Sequence, residues 1–310
     1  SNTGGVFLTS HDQLRKRPIV IVGPTASGKS SLALKIARQV DGVELLSVDS
    51  MQVYRRMDIG TAKPTTKEQL EIPHHLIDLV EPNETFSLVD FQRIHDSVRA
   101  EIEERDGIPV LVGGTGLYVR AVVDRLTPPP QFSDIASQLD TEPDTKQLHS
   151  RLKELDPAGA SRMEESNRRR IIRALEVSIG TGKPFSSFGP GLDSYPEVPY
   201  RIIGIEIDRD DLDQRIRQRY EYQMDSGFLE EVRGLAKADL SKSAGQALGY
   251  KELLAHVRGE LSFNDALELA IQRTKRFARR QQRWFRRDPR VEWVTTDALD
   301  LVVNQISLQK

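Results

Sequence analysis

The tightest constraint on this chain lies in residues 18–30, Pro-Ile-Val-Ile-Val-Gly-Pro-Thr-Ala-Ser-Gly-Lys-Ser. Ile19 to Val22 is an apolar run of buried-strand type, and Leu32, Ala33, Ile36 and Ala37 recur at helical spacing just beyond it. Between them Gly23, Thr25, Ala26, Ser27, Gly28, Lys29 and Ser30 fit the phosphate-loop pattern G-x-x-x-x-G-K-[ST]. Strand, glycine loop and helix thus come in the order this device requires. Backbone N–H groups and a positive helix end converge on an anion, Lys29 adds a full charge, and Ser30 offers a hydroxyl to Mg2+. The loop alone specifies phosphate or diphosphate, not a nucleotide.

Further apolar runs extend this start into an α/β fold. Val43–Val48, Ile108–Val112 and Ile202–Ile207 read as buried strands, and Leu76–Val80 as an edge strand. Helical spacing covers 86–104, 212–224 and the long basic stretch near the C-terminus. The expected fold is therefore α/β: a phosphate-loop-type parallel sheet flanked by helices, with an inserted all-helical domain and a helical C-terminal region. The boundaries follow composition. Thr127-Pro128-Pro129-Pro130 reads as a stiff linker, and residues 128–200 as a polar helical insert including 148–155 and 167–179, the latter capped by Asn167 and stopped by Gly180. Residues 1–127 and 201–310 form the core. Ser1–Gly5 reads as an appended or frayed terminus outside the fold.

Several residues then carry chemistry. Asp49 closes the second strand, where carboxyl strand ends meet ligands in open α/β sheets. It would hold Mg2+, serve as a general base, or simply cap the next turn. Gly113-Gly114-Thr115-Gly116 follows the 108–112 strand, small residues that admit close backbone approach by a ligand. Many phosphate-loop nucleotidases carry a metal-binding Asp where Gly113 stands, which argues against a plain ATPase. Arg215 and Arg219, four apart on one helix face, form either a solvated basic face or a diphosphate clamp. His74 and His75 are neighbours on an extended segment and chelate poorly.

Charge is unevenly spread. The 44 Lys/Arg and 46 Asp/Glu give a net charge of −2, yet 273–290 holds nine Lys/Arg and one acidic residue. Arg168, Arg169, Arg170 and Arg173 form a second cluster. Such patches on a near-neutral chain point to a polyanion. The apolar stripe of the long helix turns Trp284 inward, which leaves Arg276, Arg279, Arg280, Arg283 and Arg287 as a phosphate-tracking rail. No apolar run reaches membrane-spanning length and there is no cysteine. A cytoplasmic protein is expected, with no membrane contact, monomeric and needing no protein partner.

These stretches together resemble the bacterial tRNA dimethylallyltransferases, which are similar to the adenylate isopentenyltransferases. The resemblance rests on the phosphate loop, Val48-Asp49-Ser50, Asp58-Ile59-Gly60-Thr61-Ala62-Lys63-Pro64, Pro73-His74-His75, Val112 to Tyr118, Arg173 to Glu176, Ser226-Gly227-Phe228, and Gln246-Ala247-Leu248-Gly249-Tyr250. Asp58–Pro64 is the most specific of them. Ser30 stands where Thr is frequent, with an equivalent hydroxyl. The resemblance implies that dimethylallyl diphosphate lies in the loop, held by Lys29, Arg219, and Ser30 with Mg2+. The acceptor would be the N6 amine of the adenine just 3′ of the tRNA anticodon, with Asp49 as base and Thr115 positioning groups nearby. It also implies tRNA contacts at Asp49, Ser50, Met51, Gln52, Thr115, Gln246, Gly249 and Tyr250, and in the arginine clusters. The rivals are a free-nucleotide prenyltransferase, which would need neither insert nor basic rail, and a small-molecule kinase.

Overall fold

The computed structural model describes residues 10–126, 128–189 and 191–308; Ser1–Gly5 and Thr127 lie outside them. Six strands form one sheet: β1 Ile19–Val22, β2 Val43–Ser47, β3 His74–His75, β4 Ile108–Gly113, β5 Arg201–Glu206 and β6 Val291–Thr295. Their spatial order is β3-β2-β4-β1-β5-β6, and every pairing is parallel. Chain order and spatial order part around β1, whose neighbours are β4 and β5, and such a switch point leaves a crevice at the carboxyl ends.

Both faces of the sheet are covered, so the central strands are apolar throughout instead of alternating. Val20 and Val22 point into one core with Leu46, Phe91, Val119, Ile216 and Phe285. Ile19 and Ile21 point into the other, against Leu32 and Ile36 of helix Lys29–Gln39 and Val302 and Ile306 of helix Leu299–Leu308.

The chain divides into two compact units. One runs to Arg125 and resumes at Glu197; the other is Leu126–Pro196. The smaller unit has its own core of Leu139, Leu148, Leu152, Ile171, Ala174 and Leu175. Its main helix spans Arg168–Thr181; the Asn167 side chain caps it by accepting from the Arg170 N–H, and left-handed Gly182, not Gly180, ends it. Gly180 lies inside the helix because a Cβ there would fall 2.2 Å from the Phe132 ring.

One other expectation gives way. The edge strand is His74–His75 itself, since Leu76 and Asp78 adopt φ of 67° and 53° and turn the following residues out of extended pairing. The sequence also gave no hint of β6, an edge strand with one buried residue, Val294, and hence a weak apolar signal.

Candidate active site

The phosphate loop bridges β1 and helix Lys29–Gln39. Its backbone passes through left-handed conformations at Ala26 (φ 63°) and Gly28 (φ 98°), the turn that glycine permits at little cost. Lys29 folds back so that its Nζ donates to the Pro24 carbonyl at 3.3 Å. Ser30 is exposed on the first helical turn.

Two arginines of helix Arg209–Asp225 reach this loop. Arg219 donates to Thr25 Oγ1 at 2.6 Å, and Arg215 to the Ser27 carbonyl at 3.3 Å. Both arginines thus bond to the phosphate loop, while Arg217 pairs with Glu268 at 2.7 Å on the surface. Burial, then the adjacent Arg219, push the Lys29 ammonium down to about 8, with Asp49 opposing. Burial likewise lowers Arg219, against attraction from Tyr220, Asp49 and Tyr250. The loop thus gathers two cations that a nearby anion would stabilise.

Asp49 follows β2 and uses its two oxygens differently. Oδ1 accepts from the Met51 and Gln52 N–H groups at 2.7 and 3.0 Å, an Asx-type cap. Oδ2 has no hydrogen-bond partner among the described residues. Capping and proton acceptance are thus compatible in this one side chain. Thr115, at the N-cap of helix Gly116–Val123, places its Oγ1 3.3 Å from the Ser50 N–H, next to Asp49. Gln52 accepts from Ser47 Oγ at 2.6 Å and donates to the Thr61 carbonyl at 3.0 Å.

The turn after β4 is glycine-rich for a reason the sequence does not display. A Cβ on Gly113 would meet the Val48 carbonyl at 2.5 Å, on Gly114 the Gln281 amide at 2.7 Å, and on Gly116 the Trp284 indole at 2.1 Å. Protein groups already make a close approach here. Gln281, unremarked from sequence, is buried and ties two loops together: its Oε1 accepts from the Thr25 N–H at 3.0 Å and its Nε2 donates to the Gly114 carbonyl at 2.8 Å. The available signal was a polar residue on an apolar stripe, since Thr274, Ala278, Gln281 and Phe285 recur at +4, +3, +4 and all are buried.

These elements enclose a cavity of about 470 Å³, lined at one end by Thr25, Lys29, Ser30 and Arg219 and including Asp49 and Thr115. That volume suits a small-molecule ligand. Gln246 and Arg280 also line it.

Four residues expected to touch RNA make specific contacts within the protein. Tyr250 is fully buried, its hydroxyl donating to Glu231 at 2.6 Å and accepting from the Gly60 N–H at 3.1 Å. Burial and that carboxylate push its phenol far above its ordinary range. Gly249 is buried at φ 84°, where a Cβ would meet the Phe228 ring at 3.0 Å. Arg173 donates to the Pro129 and Pro130 carbonyls at 2.7 and 3.1 Å and pairs with Glu176. Arg279 turns inward to Asp213 at 2.9 Å. Arg276, Arg280 and Arg283 remain exposed, without an ion pair among the described residues, and Arg169 is exposed in the smaller unit.

The segment Asp58–Pro64 also gains a physical account. The N–H groups of Asp58, Ile59 and Gly60 converge on the Glu231 carboxylate at 2.9 to 3.4 Å. Lys63, almost fully buried, pairs with Asp58 at 2.8 Å and with Asp78. A Cβ on Gly60 would lie 2.3 Å from the Phe228 ring. This loop forms a braced wall of the cavity.

The IPP transferase family matches residues 52–288. The chain belongs to that family. Among similar proteins are the tRNA dimethylallyltransferase of Geobacter sulfurreducens, 44% identical over 89% of this chain and 91% of that protein, and that of Carboxydothermus hydrogenoformans, 41% identical over 94% and 97%. The solved structure of the Bacillus halodurans tRNA isopentenylpyrophosphate transferase is 35% identical, covers 95% of this chain and 96% of its own, and superposes with a TM-score of 0.68. A eukaryotic dimethylallyltransferase acting on tRNA is 25% identical, covers 94% of this chain and 76% of its own, with a TM-score of 0.74. The family match spans the Asp58–Pro64 loop, the arginine helix and the long basic helix of this chain, while the phosphate loop lies before it. No described helix is long and apolar enough to cross a membrane.

Proposed function

We propose that this chain transfers the dimethylallyl group of dimethylallyl diphosphate to the N6 amine of the adenine just 3′ of the anticodon in tRNA, releasing diphosphate. One observation carries it: Lys29 and Arg219, both depressed by burial, converge in a cavity that also holds Asp49. Relatives at 41–44% identity are named tRNA dimethylallyltransferases.

The chemistry follows from the side chains. The diphosphate lies along the loop, its oxygens facing Lys29, the loop amides and Arg219, whose planar fork matches phosphate oxygens. As the allylic C–O bond breaks, charge accumulates on the departing diphosphate, where preorganised cations stabilise it most. The N6 amine attacks the allylic carbon, and its proton passes to Asp49 Oδ2 while Oδ1 keeps the cap. Thr115, bonded at Ser50, fixes the rim beside that carboxylate. Ser30 would hold Mg2+: its exposed hydroxyl is one hard oxygen ligand, and no described group of three or more His, Cys, Asp or Glu forms an all-protein cage. That donor set fits a cation which keeps waters and takes its remaining ligands from substrate phosphate. When bound, it neutralises the leaving group.

An adenine stacked in an anticodon loop must be splayed out to enter a cavity, so the RNA backbone needs a grip. Arg276, Arg280 and Arg283 supply it on the long helix, Arg169 and Arg170 on the smaller unit, and Ser50, Met51, Gln52 and Gln246 line the acceptor end. The setting is the cytoplasm, where tRNA is available.

The test is incubation with dimethylallyl diphosphate and Mg2+, offering unmodified tRNA and free AMP separately, with mass spectrometry of adenosine. A prenyl group on tRNA alone is expected. Label on AMP alone transfers the chain to the free-nucleotide branch, and phosphate transfer from ATP without prenylation refutes the reading.

A further inference from the structure

The long helix Phe263–Arg286 contributes one polar side chain to the junction of two site loops, and that side chain has no partner in the chemistry above. Gln281 is buried, and both ends of its amide are committed. It takes the Thr25 N–H of the phosphate loop and gives an N–H to Gly114 of the turn that carries Thr115. Thr25 is held from its other side by Arg219, and Thr115 Oγ1 receives the Ser50 N–H beside Asp49. A continuous hydrogen-bonded path therefore runs from Arg219 through Thr25, Gln281 and the Gly114–Thr115 turn to Ser50, joining the diphosphate end to the carboxylate end. A Cβ on Gly114 would lie 2.7 Å from the amide Nε2, so a glycine at this position leaves space for the Gln281 side chain.

We infer that Gln281 is a positioning residue that fixes the phosphate loop and the Thr115 turn in register, so that bound diphosphate and the proton-accepting carboxylate face each other at reacting distance. The inference deepens the prenyl-transfer reading and rests on it. A glutamine is specifically suited to this junction. It offers one acceptor and one donor in a plane, matching an N–H on one loop and a carbonyl on the other. A carboxylate would match the first and repel the second; a thioether of similar length would match neither.

That asymmetry supplies the experiment. Gln281→Met and Gln281→Glu are made in the full chain, and Mg2+-pyrophosphate affinity and prenyl transfer to tRNA are each measured from about pH 5.5 to 8.5 relative to the unsubstituted protein. Thermal melting is recorded alongside, and values are compared only where each variant is folded. Gln281→Met should lower pyrophosphate affinity and kcat about tenfold each, roughly one lost buried hydrogen-bonding group, and the deficit should be flat with pH. Gln281→Glu should match that loss at high pH and recover toward the unsubstituted protein as pH falls, because a protonated carboxyl regains the donor to the Gly114 carbonyl. A role in packing alone predicts no such recovery. Ratios for the two variants that overlap at low pH as well as high, or a Gln281→Glu deficit that does not change with pH, would overturn the inference. If the unsubstituted protein binds pyrophosphate but prenylates no tRNA, the functional reading fails, while the pH signature in pyrophosphate affinity still decides whether Gln281 sets the loop. If it binds no pyrophosphate, both fall.

Discussion

Neutralising the exposed arginines of the long helix is the most discriminating perturbation of the proposed RNA grip. Arg276, Arg280 and Arg283 recur at +4 and +3, so they share one helix face, spanning about 10 Å along the axis. All three are exposed, and none makes an ion pair among the described residues. Counterion release assigns each phosphate contact a slope of about −0.7 in log K against log salt for single strands and about −0.9 for duplex. Three contacts then contribute roughly −2 to −2.7. Between about 50 and 200 mM salt, the unsubstituted protein should lose roughly 20- to 40-fold more tRNA affinity than Arg276→Gln/Arg280→Gln/Arg283→Gln.

The assay is a salt titration of tRNA binding by filter retention or fluorescence anisotropy. Arg279→Gln is the internal control. Its guanidinium is engaged by Asp213 at 2.9 Å with an Nε that is buried, so the substitution should cost folding stability and leave the salt slope unchanged. An unaltered slope in the triple variant, or a reduced one in Arg279→Gln, would refute the assignment of faces.

Two further outcomes follow from the site. Asp49→Asn keeps an oxygen for the Met51 and Gln52 N–H groups but removes the base, so kcat should fall about 10²- to 10⁴-fold with an unchanged melting temperature. Asp49→Ala should lose about 1 kcal/mol of stability as well, and equal melting of the two variants by calorimetry would sink the capping assignment. Lys29 is lowered in the folded chain to about 8 from 10.5, so between those values the unfolded state binds more protons and stability should rise with pH. Diphosphate favours the charged ammonium, so binding above about pH 8 should take up a proton; calorimetry in buffers of different ionisation enthalpy measures it, and Lys29→Met should abolish it.

Local pattern made part of this molecule legible. The phosphate loop declares itself in consecutive residues, because strand, glycine turn and helix are each set by near neighbours, and β1 falls on the same four apolar residues in sequence and structure. Asp49 was legible as the cap of the following turn, and its Oδ1 makes that cap. What escaped depends on contacts between distant segments. The packing of Gln281 and Trp284 against the Gly113–Gly116 turn, from more than 160 residues on, is not visible in the local sequence. Gly249 and Tyr250 lie in a stretch recognised by its motif alone, and a motif does not state what its members pack against; Glu231 and Phe228 supply those contacts. Arg279 and Arg280 are indistinguishable by composition and differ by about 100° of helix rotation.

That rotation is the argument for treating the long helix as one device. Its buried stripe, Thr274, Ala278, Gln281 and Phe285, and its exposed stripe, Arg276, Arg280, Arg283 and Arg287, repeat with the same +4, +3, +4 spacing, displaced by two residues or about 200°. A single rigid rod therefore presents cations outward on one side and an amide inward on the other. Displacing the exposed stripe relative to the cavity cannot occur without displacing Gln281, and through it the Thr25 N–H and the Gly114 carbonyl. Local melting of this helix would loosen RNA grip and diphosphate loop together. Because Arg280 also lines the cavity, the clean test uses Arg276 and Arg283: substitutions there should change tRNA affinity alone, whereas substitutions at Gln281 should change diphosphate affinity and kcat with little effect on the salt slope. A mixed response, in which either set moved both quantities, would mean the two faces are coupled by bending of the rod and not merely carried on it.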